Sequence, residues 1–402
     1  MGLDLERLRA DTPGRAETAF FDSAGSSLPP RPVLDTQIAH LRREAEIGGY
    51  RAAGERAEDL ADVAAALGEL IGAAPGSIAL SDSATRAWAD FFYAVPLRPG
   101  DRIAVSHVDY ATNAVAALQR ARAVGAEIVV LPSDAEGRTD VEALDAVLDE
   151  RVALVSLVHV PTQSGLVEPV AEIAAKARAV GASVLLDACQ SIGQIPVDAA
   201  ALGVDAISGT GRKWLRGPRG TGFLHVRQAL LETMEPRSVD LHSAQWTALD
   251  AYELAPDARR FETWECDIAA RLGLGAAARY LLDLGPEQVY AELAARARAI
   301  RDALAGLPGV TLRDPAGGPV GAIVTLTIDG VDAVAARAEL AARGVTVGAS
   351  VASSARRDLG GRDLPAVLRI SGHAFVTDDD TDRLLTGIAE LARRPRGGPR
   401  TG

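Results

Sequence analysis

Lysine is almost missing from this 402-residue chain: Lys and Arg together number 42, and only Lys176 and Lys213 are lysines. Cysteine is equally scarce. Cys189 and Cys266 alone exclude a disulfide framework or a multi-cysteine zinc site and fit a reducing cytoplasm. Aromatic residues make up only 4% of the chain against 48% hydrophobic residues overall, so the core must be aliphatic. Positive charge is not in excess. A net charge of −12 argues against a nucleic-acid partner, which would need a basic face. Apolar runs such as Val152–Val160 fall well short of the roughly 20 residues that span a bilayer. Met1–Arg15 is polar and lacks the apolar core of a secretory signal. These absences predict a soluble, cytoplasmic protein without membrane or nucleic-acid partners.

The lysine shortage gives the survivors meaning. Arginine can replace lysine as a surface cation but not as an imine-forming amine, because guanidinium stays charged and is a poor nucleophile. Lys176 sits in the helical run Ala171–Val180 and reads as an ordinary surface residue. Lys213 is different: it lies in Ser208-Gly209-Thr210-Gly211-Arg212-Lys213-Trp214, followed by Gly217-Pro218-Arg219-Gly220.

The middle of the chain alternates short apolar runs with Ala-rich helical stretches. Strands are expected at Arg102–Ser106, Glu127–Leu131, Val152–Val160, Ser183–Asp187, Ala206–Ser208 and Gly222–Val226. Helices are expected near Thr112–Val124, Asp140–Leu148 and Pro169–Val180. This pattern predicts an α/β fold with a mainly parallel sheet covered on both faces. Beyond about Ala255 the order of elements is mixed and suggests a smaller α+β unit. The expected division is an N-terminal arm (1–20), a large domain (21–255), a small domain (256–393) able to recruit the N-terminal segment, and a disordered Arg/Pro/Gly-rich tail (394–402).

Parallel sheets bind ligands at the carboxyl ends of their strands. Ser81–Thr85, Asp109–Asn113, His159–Ser164, Asp187–Gln190 and Ser208–Lys213 each follow an apolar run and would meet at that edge. Together they suit pyridoxal 5'-phosphate, which needs an imine-forming lysine, an anion at its pyridine nitrogen and donors for its phosphate. Asp187 is the candidate anion. Ser83, Ala84 and Thr85 open a helical run whose amides favour a phosphate, although a Ser before a helix is ordinarily just its cap. Thr210 and Arg212 are further phosphate donors, and Tyr110 is a candidate surface for the ring.

The layout resembles fold-type I pyridoxal-phosphate enzymes of the class V aminotransferase and cysteine desulfurase branch, from about Phe21 to Leu384. The resemblance rests on Phe21-Asp22-Ser23-Ala24-Gly25, Ser83-Ala84-Thr85, Asp187-Ala188-Cys189-Gln190-Ser191, Thr210-Gly211-Arg212-Lys213 and Leu368-Arg369-Ile370-Ser371. It implies a mainly parallel sheet of the seven-stranded type plus a small α+β domain, and a homodimer. It also implies that Gln190 meets the ring hydroxyl, Thr162 lies near the ring and Arg369 binds the carboxylate of an amino-acid substrate. Ala24 and Tyr50 are expected beside that substrate.

Two departures narrow the chemistry. Cysteine desulfurases take sulfur onto a cysteine in a small-domain loop, whereas Gly348–Ser354 contains none. The ring-stacking His of the family is replaced by Tyr110. Glu44–Tyr50, Arg212-Lys213-Trp214 and Leu368–Ser371 with His373 further resemble hercynylcysteine sulfoxide lyases of ergothioneine formation. The expected reaction is β-elimination from an amino acid carrying a sulfur leaving group, with Lys213 as base. Transamination and epimerisation begin in the same way, and an inactive binding protein of the same fold is the alternative from another class.

Overall fold

Ala19–Phe21 (β1) leaves the N-terminal segment and pairs in parallel with a strand far along the chain. In the computed structural model, which describes residues 2–394, the main sheet begins only later. Its strands are Ile78–Ser81 (β2), Arg102–Val105 (β3), Glu127–Val130 (β4), Val152–Val158 (β5), Ser183–Asp187 (β6), Ala206–Thr210 (β7) and Gly222–Val226 (β8). Their order is β2-β8-β7-β6-β5-β3-β4. The pairs β4/β3, β3/β5, β5/β6 and β6/β7 are parallel, while β8 runs antiparallel to both β7 and β2. Every residue of β7 and β8 is buried, and β5 and β6 nearly so, which is why these segments read as continuous apolar runs.

This topology decides where chemistry can occur. Because β2 and β7 are both antiparallel to β8, they point the same way, and β2, β3, β5, β6 and β7 end on one edge. From β3 the chain moves outward to β4 and then returns to the opposite side of β3 at β5. The loops after β3 and β5 therefore part at the edge and leave a crevice.

Ala244–Ala248 (β9) and Ala251–Leu254 (β10) form a hairpin that the apolar pattern did not announce. Val310–Leu312 (β11), Val324–Ile328 (β12), Val345–Val351 (β13) and Ala366–Ile370 (β14) form a second sheet with β1, in the order β1-β13-β14-β12-β11. Helix Asp378–Ala392 packs on this unit and starts with a capping box between Thr377 and Asp380. The N-terminal segment thus completes a sheet whose other strands come from the last quarter of the chain.

Several elements differ from expectation. Asp140–Leu148 holds only a 3₁₀ turn, Glu142–Ala146, because the Asp140 carboxylate accepts the amides of Glu142 and Ala143 and tightens the backbone there. The strand expected over Val152–Val160 stops at Val158, freeing Val160 and Thr162 for the crevice. Arg394, the first residue of the expected tail, pairs with Glu339, and residues 395–402 lie outside the described residues. Among the described residues no helix is long and apolar enough to cross a membrane.

Candidate active site

The five polar loops meet in one cavity at the carboxyl edge. Ser83, Ala84 and Thr85 reach it from the end of β2, Tyr110 and Asn113 from beyond β3, and Val158, Val160 and Thr162 from β5. Asp187, Cys189 and Gln190 arrive from β6, and Thr210, Arg212 and Lys213 from β7. Every residue expected to hold the cofactor lines this cavity.

Local structure explains the placement. Ser83 is the N-cap of helix Ala84–Ala94, its hydroxyl accepting the Arg86 amide at 3.2 Å. Capping and site-building coexist, because the amides of Ala84 and Thr85 belong to the first turn and have no intrahelical acceptor. The turn lies directly on β8: a Cβ at Gly222 would come within 2.4 Å of the Ser83 carbonyl carbon and 2.5 Å of the Ala84 nitrogen. Any side chain there would push the turn off the sheet.

Asp187 ends β6 and is buried. Its Oδ2 accepts the Asn113 side-chain amide at 2.9 Å, and its Oδ1 accepts the Cys189 backbone amide at 3.0 Å. Sequence alone gives Asn113 no role. The signal was its spacing, three residues after Tyr110 on helix Ala111–Val124, which puts both at one helix end. The Gln190 amide is engaged within the protein. Its oxygen accepts the Trp214 indole N–H at 2.9 Å, and its nitrogen donates to the Ala24 carbonyl at 3.0 Å and the Thr162 hydroxyl at 3.2 Å. Arg212 donates to the Gly25 carbonyl.

Arg369, on β14, does not itself line the cavity but meets a residue that does, Thr162, from the second sheet. Its Nη1 donates to the Thr162 hydroxyl at 2.6 Å, and its Nη2 to Asp22 at 2.8 Å. Ala24, not itself a lining residue, is joined to one through Gln190. Tyr50 is not: it is 86% exposed and shares an open groove with Trp264 and Glu265, apart from the cavity. One chain alone does not place Tyr50 beside a ligand in the cavity.

The electrostatics favour a reactive amine. Lys213 is half-buried because it faces the cavity, but protein surrounds the rest of it. Desolvation pulls its ammonium pKa below the ordinary value, and Arg212 and Arg369 push the same way against Asp187. Burial has the opposite effect on the Cys189 thiol, which is raised well above its ordinary value and stays protonated.

Asp109, beside Tyr110, is a second buried carboxylate. Neither oxygen accepts a well-formed hydrogen bond, and the nearest cation, Arg357, stands 3.6 Å away. Desolvation, reinforced by Asp187 and opposed by Arg357, lifts its pKa to about 8 from an ordinary 3.8. The native state therefore keeps a proton that the unfolded chain loses. The stabilisation is present below about pH 3.8 and is lost as pH rises through about 8. Asp109→Asn should leave the unfolding midpoint nearly unchanged at about pH 4 and raise it progressively toward about pH 9. A pH-independent difference in thermal unfolding would contradict this.

A desolvated lysine, a carboxylate held by two donors, a helix N-terminus and flanking Thr and Arg donors together fit pyridoxal 5'-phosphate. Among curated relatives, a probable cysteine desulfurase 2 of Mycobacterium leprae is 32% identical over 96% of both chains. A cysteine desulfurase of Pectobacterium atrosepticum is 27% identical over 98% of this chain and 99% of that protein. Of solved structures, the Escherichia coli cysteine desulfurase CsdA superposes with a TM-score of 0.88 at 23% identity, covering 96% of this chain and 99% of that one. The cystine C–S lyase C-DES, solved with its product cysteine persulfide, gives 0.85 at 24% identity over 94% and 99%. The family model for class V aminotransferases runs from residue 19 to 384, a span that takes in the strands of both sheets. The chain belongs to the class V aminotransferase family and is a pyridoxal-phosphate-dependent enzyme.

Proposed function

We propose that the protein is a carbon–sulfur β-lyase acting on an amino acid whose Cβ carries a sulfur leaving group, of the hercynylcysteine sulfoxide lyase type. One observation carries this reading: no cysteine is placed to accept sulfur. Strand Val345–Val351 and the turn Ala352–Ser354 contain none. Cys189 lies in the cavity but holds its proton, and Cys266 lines the separate groove with Tyr50. A protonated thiol is a poor acceptor, so a sulfur fragment would leave rather than pass to the protein.

Bound pyridoxal phosphate would supply an electron sink for the pair left at the substrate's Cα. The chain does the rest. Ser83, Ala84, Thr85, Thr210 and Arg212 would hold the phosphate, and Asp187 would keep the pyridine nitrogen protonated. Tyr110 would border the ring. Arg369 would orient the α-carboxylate, and Lys213 would take the Cα proton. Two copies are expected to associate, covering the exposed Tyr50 and Trp264 of the open groove; light scattering reporting a monomer would refute this.

Incubation with cysteine thioethers or sulfoxides should release pyruvate and ammonia without any keto-acid acceptor. Turnover that requires an acceptor would replace the lyase by an aminotransferase. Racemised substrate without product would indicate an epimerase.

A further inference from the structure

Asp22 occupies the N-cap of the short helix Ser23–Ser26, where an aspartate ordinarily accepts a first-turn amide. Its side chain makes no such bond. Its Oδ1 instead accepts Arg369 Nη2 at 2.8 Å. The surroundings allow little else. A Cβ on Gly25 would sit 2.4 Å from Asp22 Oδ2, and one on Gly348 would lie 2.7 Å from Oδ1 and 2.8 Å from Arg369 Nε. Gly348 faces Arg369 directly across the β13/β14 ladder, so only a residue without a side chain leaves room for the pair.

Arg369 is gripped from the other side too. Its Nη1 meets both the hydroxyl and the carbonyl of Thr162, at 2.6 and 3.3 Å, while its buried Nε has no partner. Three distant segments converge here: the chain after β1, the loop after β5, and β14. A guanidinium on a long side chain loses substantial freedom when ordered. Ordering it before the ligand arrives lowers the cost of binding.

We propose that Asp22 is the positioning residue of Arg369, fixing the guanidinium so that its remaining donors meet the substrate's carboxylate in a set orientation. This rests on the reading that Arg369 recognises that carboxylate. Gly25 and Gly348 provide the space that keeps Asp22 on Arg369 instead of on its own helix.

The test compares two amines that differ only in the carboxylate, L-alanine and ethylamine, neither with a leaving group at Cβ. Their dissociation constants are read from the visible absorbance change of the holoenzyme. Asp22→Ala should weaken L-alanine roughly tenfold, the equivalent of one charge-assisted hydrogen bond, and leave ethylamine unchanged. Asp22→Asn keeps an acceptor without the charge and should lose less; it also carries the test if the alanine variant does not fold. Equal weakening of both amines would reduce Asp22 to a structural role, and unchanged or tighter L-alanine binding would overturn the proposal. Arg369→Met separates the two layers. If it keeps the preference for L-alanine, the reading of Arg369 itself fails. If it loses the preference while both Asp22 variants retain it, only the role of Asp22 fails.

Discussion

Lys213→Ala should abolish the visible absorbance of the lysine-linked cofactor and lower turnover by at least about 10³-fold. The size follows from two losses at one position. On the proposed roles, the variant would have no amine to hold the cofactor covalently and no base at the Cα proton. Neither loss has a nearby remedy. Lys176, the other lysine, pairs with Asp145 on the outer surface. Arg212 lines the same cavity, but a guanidinium is no substitute for an amine as a base or nucleophile. Added primary amines should restore part of the rate by entering the space left in the cavity. Persistence of the absorbance band in the variant would remove the basis for assigning Lys213.

Asp187→Ala has the second largest expected effect, a loss of roughly 10²–10³-fold in turnover with much of the cofactor still bound. Cofactor retention is expected because the proposed phosphate donors and Lys213 lie on other loops. The rate should fall because no other acid lining the cavity can hold the ring nitrogen's proton; Asp109 is not among the lining residues and keeps its own proton to about pH 8. Unchanged turnover would contradict the role given to Asp187. Asn113 grades the same effect. Asn113→Ala removes one of the two donors that aim the carboxylate and should cost about tenfold. If Asn113→Ala were as harmful as Asp187→Ala, positioning would count for as much as charge.

The α/β class and the cluster of site residues at strand ends were legible in the sequence, because both are written locally. An apolar run ending in Asp, in Thr-Gly-Arg-Lys or in Ser-Ala-Thr states its element and its chemistry within a few residues. Regions without that contrast were not legible. β13 begins in a mild Val-Thr-Val-Gly run, and the turn at Glu142–Ala146 has helical composition that Asp140 overrides. Neither is distinguished by periodicity alone.

The sequence by itself determined that a single unusual lysine sits among residues suited to pyridoxal phosphate, and that the second-sheet segment lacks a sulfur-accepting cysteine. Only the tertiary structure decided that Asn113 aims Asp187, that Asp22 turns from its helix to Arg369, that Asp109 is sealed from water, and that Tyr50 stands outside the cavity. The reason is physical. Which groups a residue can offer is a property of its type, but which it meets depends on contacts between segments hundreds of positions apart, as between Asp22 and Arg369. Burial, which sets the proton of Asp109 and the reactivity of Lys213, arises only when those segments close around them.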